Sequence, residues 1–200
     1  ILRYTYRLTY FENRPDDATD EQHTVDLLLS HTVSPRLTLD VRDQFRRGVE
    51  PELVDVQAGV PVILQRQGDY SYNNLNGTLS YNLSRRWVTA VRGGWQHWDY
   101  DESVVASNNN RNVYDTILAF RYALDRRTTA GVNYRYLRIE YDLPGASDAR
   151  NSDSHMGFLT LIRRFSPRLS AELNGGWELR EFADGTTDLA PLVDVNATYN

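Results

Sequence analysis

Apolar and polar residues alternate along most of this chain, and one short turn signature interrupts the alternation four times. It reads Ser34-Pro35-Arg36, Ser84-Arg85-Arg86, Asp125-Arg126-Arg127 and Ser166-Pro167-Arg168, at spacings of 50, 41 and 41 residues. Counting forward from each Ser or Asp, the third residue is Leu37, Trp87, Thr128 or Leu169, and the fifth is Leu39, Thr89, Ala130 or Ala171. The seventh is Val41, Val91, Val132 or Leu173, and the eleventh is aromatic in all four: Phe45, Trp95, Tyr136, Trp177. The positions between them are mostly polar, with Arg42, Arg92, Asn133 and Asn174 at the eighth. A period of two held this long predicts strands, not helices. The strands that descend into each turn mirror the pattern, with Leu29, Leu79, Phe120 and Leu161 at equivalent places. A Ser or Asp at the first turn position can accept hydrogen bonds from backbone amides ahead of it, and Pro at the second presets φ.

Ten strands follow: about 1–12, 22–33, 36–47, 69–83, 86–99, 112–124, 127–141, 152–165, 168–182 and 188–199. The turns at their other ends are polar and expected to be long, at Glu12–Glu21, Tyr100–Arg111, Asp142–Asn151 and Ala183–Thr187. From the third to the eleventh residue after a turn spans roughly 20 Å on a tilted strand, close to the apolar band of an outer-membrane barrel. The expectation is an all-β, antiparallel up-and-down transmembrane β-barrel, residues 1–200 forming one barrel domain or barrel segment. Phe45, Trp95, Tyr136 and Trp177 would make its outer aromatic girdle, with Tyr81, Trp87 and Tyr122 near the inner one. A soluble sandwich or propeller, the competing fold, prefers strands of about 5–6 residues.

Composition fits this picture. The chain is 40% hydrophobic with a mean hydropathy of −0.57, as expected where half of each strand faces a wet lumen. No run approaches the ~20 apolar residues of a spanning helix. There is no cysteine, so haem attachment is excluded and an oxidising compartment is allowed. Acidic residues outnumber basic ones 27 to 22, which argues against nucleic acid as a partner. All the basic residues are Arg, whose planar fork suits carboxylate pairing. Ala197-Thr198-Tyr199-Asn200 superimposes on Leu79-Ser80-Tyr81-Asn82, which precedes a turn, so the ten strands are expected to be part of a larger barrel.

Chemistry is sparse. The polar face would carry Asp40, Arg42, Arg46, Arg92, Arg135 and Glu172, with Arg3, Arg7, Asp26, Asp115, Arg121, Glu178 and Arg180 beside them. Such charges either select solutes in a pore or pair across strands to hold the wall. Arg42 and Arg92, at equivalent heights with Arg46 and Arg135 above, form the best anion-attracting patch. His97 near Asp99 and Asp101 at a strand tip is similar to an outer-membrane protease rim, but no second carboxylate pair accompanies it, and no catalytic residue is assigned. A cation site on Asp99, Asp101 and Glu102 is weaker than a solvated loop with interfacial aromatics, and no metal is assigned. Ser34 and Ser166 are turn residues, not nucleophiles. Asn108-Asn109-Asn110 reads as a loop tip, and the apolar stretch Gly48–Gly68 as a hairpin, a lumen-filling loop or a partner contact.

The run Ser166–Trp177 and its three counterparts resemble the β-barrel porin families found with bacterial exopolysaccharide export systems. That resemblance implies an outer-membrane channel or export conduit for polar solutes or polysaccharide. It implies no enzyme activity and no cofactor, with outer-membrane lipid around the barrel and a periplasmic or surface protein as a further partner. A barrel sheathing a multihaem electron-transfer protein, a surface adhesin and an omptin-like protease are the alternatives.

Overall fold

The computed structural model describes residues 1–10, 12, 19–49, 53–57, 60–64, 69–101, 103–142 and 150–199. Strands β1 (Leu2–Tyr10), β2 (Thr19–Ser34), β3 (Leu37–Val49), β4 (Leu53–Gln57), β5 (Val60–Leu64) and β6 (Asp69–Asn82) lead to β7 (Trp87–Tyr100). A short helix, α1 (Ser103–Asn109), is followed by β8 (Arg111–Ala123), β9 (Thr128–Tyr141), β10 (Ser152–Arg164), β11 (Leu169–Phe182) and β12 (Thr187–Tyr199). Ten strands make one sheet in the order β1-β2-β3-β6-β7-β8-β9-β10-β11-β12, while β4 and β5 pair only with each other. Every ladder is antiparallel. The ten strands drawn from alternation are all present, with ends displaced by at most three residues.

The four repeated turns close by one mechanism. Ser34 Oγ accepts from the amides of Arg36 (3.3 Å) and Leu37 (3.1 Å). Ser84 does the same for Arg86 and Trp87, both at 3.2 Å. Ser166 does so for Arg168 (3.2 Å) and Leu169 (3.0 Å). Asp125 holds Arg127 and Thr128 more tightly, at 2.6 and 2.9 Å, because a carboxylate is the stronger acceptor.

At the opposite ends two expectations are corrected. The stretch Ala183–Thr187 is not long: it is a tight turn in which Asp184 caps Thr186 and Gly185 takes φ +83°, a left-handed angle that glycine adopts without strain. The Tyr100–Arg111 segment is not an irregular loop but carries α1. Its asparagines are structural: Asn109 Nδ2 donates to the Val105 carbonyl at 2.8 Å, and Asn110 ties the Tyr100 amide (2.8 Å) to the Asp99 carboxylate (2.7 Å). In the Gly48–Gly68 stretch β4 and β5 form a hairpin, and the lumen-filling and partner-contact alternatives lie outside the described residues. No described helix is long and apolar enough to cross a membrane.

Burial is inverted relative to a soluble domain. Among the described residues the buried apolar ones are Tyr70, Tyr100, Ala119 and Met156, whereas Leu79, Val91, Phe120, Val132, Leu161, Leu173 and Trp177 are exposed. Accessible surface totals 13833 Å², against about 9,700 Å² for a compact soluble chain of this mass. The glycines show which way the sheet curves. On the apolar face, a Cβ at Gly77, Gly93, Gly157 or Gly175 would meet nothing within 4 Å. On the polar face, a Cβ at Gly48, Gly94, Gly131 or Gly176 would run into a neighbouring strand. The apolar face is therefore convex and the polar face concave. β1 and β12 are the two edges, and among the described residues no ladder joins them. Pro191, in edge strand β12, pairs in register only with Trp177 of β11.

Candidate functional site

The concave wall is built by the register. Arg42 on β3 stands between Leu28 of β2 and Asn76 of β6, and Arg92 on β7 stands opposite Thr78 of β6. Asp40 lies opposite Ser30 and Thr78, and Arg46 opposite Thr24 and Tyr72. Because these positions share one parity, their side chains share the concave side. Asp40, Arg42 and Arg92 border a hollow of about 840 Å³, lined also by Arg3, Asp26 and Asn76 among others, and Arg46 lies outside its lining. Arg135 and Glu172 sit farther round the wall, on β9 and β11.

Two kinds of electrostatics coexist there. On the hollow's side the acids are satisfied by neutral groups: Ser30 Oγ donates to Asp40 at 2.6 Å, and Gln44 Nε2 to Asp26 at 2.7 Å. Arg92 donates to the Asn76 amide oxygen at 2.9 Å, and Asn76 to Asn74 at 2.6 Å. Arg42 and Arg92 are exposed, and among the described residues neither has a carboxylate partner. On β9 and β11 the concave arginines are taken. Arg135 binds Asp115 at 2.7 Å and Arg180 binds Glu178 at 2.8 Å. Glu172 accepts from Asn174 at 3.1 Å. The pore-lining set thus separates: Arg42 and Arg92 stand at the hollow free of carboxylates, and Arg135 belongs to an ion pair.

The aromatic candidates Phe45, Trp95, Tyr136 and Trp177 are on the convex side. Trp95 Nε1 donates to Asn112 at 3.2 Å, and Tyr136 OH donates to Asp153 at 2.5 Å. Trp87 stacks on Phe120 and Tyr122, with ring centroids 4.7 and 4.3 Å apart. His97 lies on this lipid-facing side, stacked on Trp95, with Nδ1 3.0 Å from the Asn112 amide oxygen and, among the described residues, no carboxylate at hydrogen-bond distance. Asp99 is occupied by Asn110, and Glu102 lies outside the described residues.

Alternation splits the Trp95–Tyr100 run, and sequence reasoning missed that Trp98 and Tyr100 point inward. They meet Tyr72 and Tyr70 at centroid distances of 4.7 and 6.0 Å, and the Arg111 guanidinium lies 4.2 Å over Trp98. The signal was available, since Tyr70 and Tyr72 share parity with Asn74 and Asn76. Asp43 was missed too: it sits on the convex side between Leu27 and Leu75, and among the described residues its buried Oδ1 has no partner.

No protein-family model and no curated protein matches the chain. Solved structures do. Outer-membrane expressed OmpT of Vibrio cholerae aligns with a TM-score of 0.60 and 10% identity, over 99% of this chain and 76% of that one. In-vitro folded OmpT, an outer membrane protein of Vibrio cholerae, aligns with 0.54 and 11%, over 99% and 60%. The COG4313 outer membrane channel from Pseudomonas putida F1 aligns with 0.44 and 13%, over 98% and 90%. At these identities the OmpT likeness speaks to fold, and the resemblance read from the turns is carried only to the level of the barrel. An outer-membrane β-barrel fold with a convex apolar belt, the surface such a barrel turns to lipid, places the chain in the bacterial outer membrane.

Proposed function

We propose that this chain forms the wall of an outer-membrane conduit for polar solutes or polysaccharide, non-catalytic and without a cofactor. The observation that carries the proposal is the concave hollow, where Arg42 and Arg92 stand exposed, without a carboxylate partner among the described residues, beside amides and hydroxyls. Guanidiniums left free on a curved wall attract and orient anionic or hydroxyl-rich solutes, whereas a wall needed only for strength would have paired them. The surroundings of His97 favour a non-enzymatic reading, since its ring faces lipid beside Trp95. Free edges in lipid leave backbone groups unsatisfied at several kcal/mol each. The wall is therefore proposed to continue into strands beyond β1 and β12.

Planar-bilayer recording on the full-length protein tests the conduit. Ionic conductance whose anion preference falls in Arg42→Gln/Arg92→Gln is the expected result, and a silent bilayer removes the reading. Cysteines at Arg7 and at Asp194 or Asn196 test the edges: efficient cross-linking within one chain would mean a closed ten-stranded barrel.

A further inference from the structure

We infer that the concave wall carries, above the hollow, a binding subsite for a sugar ring bearing a carboxylate, built from Arg46, Tyr72, Trp98 and Arg111. The site deepens the conduit reading, because it lies on the same wall. Arg46 of β3 stands opposite Tyr72 of β6, Tyr72 opposite Trp98 of β7, and Trp98 opposite Arg111 of β8, so one row across the concave wall has an arginine at each end. Two guanidiniums on one short row disfavour each other unless an anion joins them. None does: among the described residues neither arginine has a carboxylate within ion-pair distance.

Arg46 is the sharper case. Its Nε is buried and has no acceptor among the described residues, while its Nη2 reaches Gln44 at 3.5 Å. A buried guanidinium nitrogen without a partner is costly, and an incoming carboxylate relieves that cost through a forked pair. Arg111, its guanidinium carbon 4.2 Å from the centre of the Trp98 ring, has no carboxylate partner among the described residues.

The rest of the surroundings choose the ligand class. Tyr72 and Trp98 offer ring surface, on which the C–H face of a pyranose rests and an inorganic anion gains nothing. Below them, Asn74 stands opposite Gln96, and Asn74 leads through Asn76 to Arg92. Amides in a row exchange hydrogen bonds with hydroxyls. Carboxylate, apolar ring face and hydroxyls occur together in a uronic acid.

The test is equilibrium binding to the full-length protein with three probes: trigalacturonate, maltotriose and inorganic phosphate. Trigalacturonate is expected to bind more tightly than both others, a comparison that needs no variant. Arg46→Gln and Arg111→Gln are each expected to weaken it about tenfold or more, and Arg138→Gln, on the convex side, to leave it unchanged. Equal binding of maltotriose or of phosphate overturns the inference, as does trigalacturonate binding that is indifferent to Arg46 and Arg111. Conductance is read separately. A conducting Arg46→Gln protein with lost uronate binding supports both readings, and arginine-dependent binding to a non-conducting protein keeps the subsite while removing the conduit.

Discussion

The concave wall has two parts that treat polar groups in opposite ways. On β9–β12 the side chains close on one another: Asn133 donates to Thr160 at 2.7 Å, Thr160 to Asn174 at 2.5 Å, and Asn174 to Glu172 and Asp194 at 3.1 and 3.2 Å. Asn133, Thr160 and Asn174 are buried. On β2, β3, β6 and β7 the same kinds of residue stand open, with Arg42 and Arg92 exposed and the acids already satisfied by Ser30 and Gln44. A buried network that is fully paired rigidifies a wall. Open guanidiniums add little to stability. On the proposed conduit reading, one part holds the curve and the other meets the solute.

Breaking the closed part has the largest expected effect. Thr160 is at once the acceptor for Asn133 and the donor to Asn174, so Thr160→Val keeps the shape and strands two buried amides. Stability in lipid, measured by urea unfolding, is expected to fall by about 2–4 kcal/mol, with conductance unchanged. A loss below about 0.5 kcal/mol would show that the network is not what holds this side.

The open part has a weak point on its other face. Asp43 projects from β3 between Leu27 and Leu75 into the apolar belt, and its buried Oδ1 has no partner among the described residues. Asp43→Leu continues the belt and is expected to raise stability by about 1–2 kcal/mol. Unchanged or lower stability would mean that the carboxylate is satisfied in the membrane by a group outside the described residues.

Arg42→Gln/Arg92→Gln, on the concave face of that part, is expected to leave stability within about 0.5 kcal/mol while lowering anion preference in bilayer recordings. If instead the double variant unfolds readily and selectivity stays, the two parts of the wall do not differ in role.

Alternation made the strands, the two faces and the turn caps legible, because each depends on residues close in sequence: Ser84 needs only Arg86 and Trp87. Partnerships between strands were not legible. Arg135 and Arg92 both face the concave side and both stand opposite Ile117, yet one finds Asp115 on the next strand and the other, among the described residues, finds Asn76. That depends on diagonal reach across a register that no single strand encodes. Trp98 lies in a run whose aromatics read as interfacial, because aromatics gather at membrane boundaries. Its inward parity was readable, but its meeting with Tyr72 and Arg111 required the β6–β7–β8 pairing. The Asp184-Gly185 turn was a local signal that the expectation of long loops overrode.

The smallest expected effect separates two turns that are otherwise equivalent. Ser84 closes the β6–β7 turn with a neutral hydroxyl, and Asp125 closes the β8–β9 turn with a carboxylate. The Asp125 carboxyl titrates below the usual carboxylate range, chiefly because the Arg127 amide hydrogen-bonds its charged form, with Thr128 adding to the effect. A folded-state pKa lowered in this way gives stability that is fully present above the unfolded value, near 3.9. That stability is lost as pH falls through the lower folded value. Acid should therefore weaken the β8–β9 turn and leave the Ser84 turn unaffected. In Asp125→Ser, the part of the acid-induced drop in unfolding midpoint that belongs to this turn is expected to disappear, while the midpoint near pH 7 moves only slightly, since serine serves the same two amides at the other three turns. Identical acid profiles for the two proteins would show that the carboxylate contributes no more than a hydroxyl does.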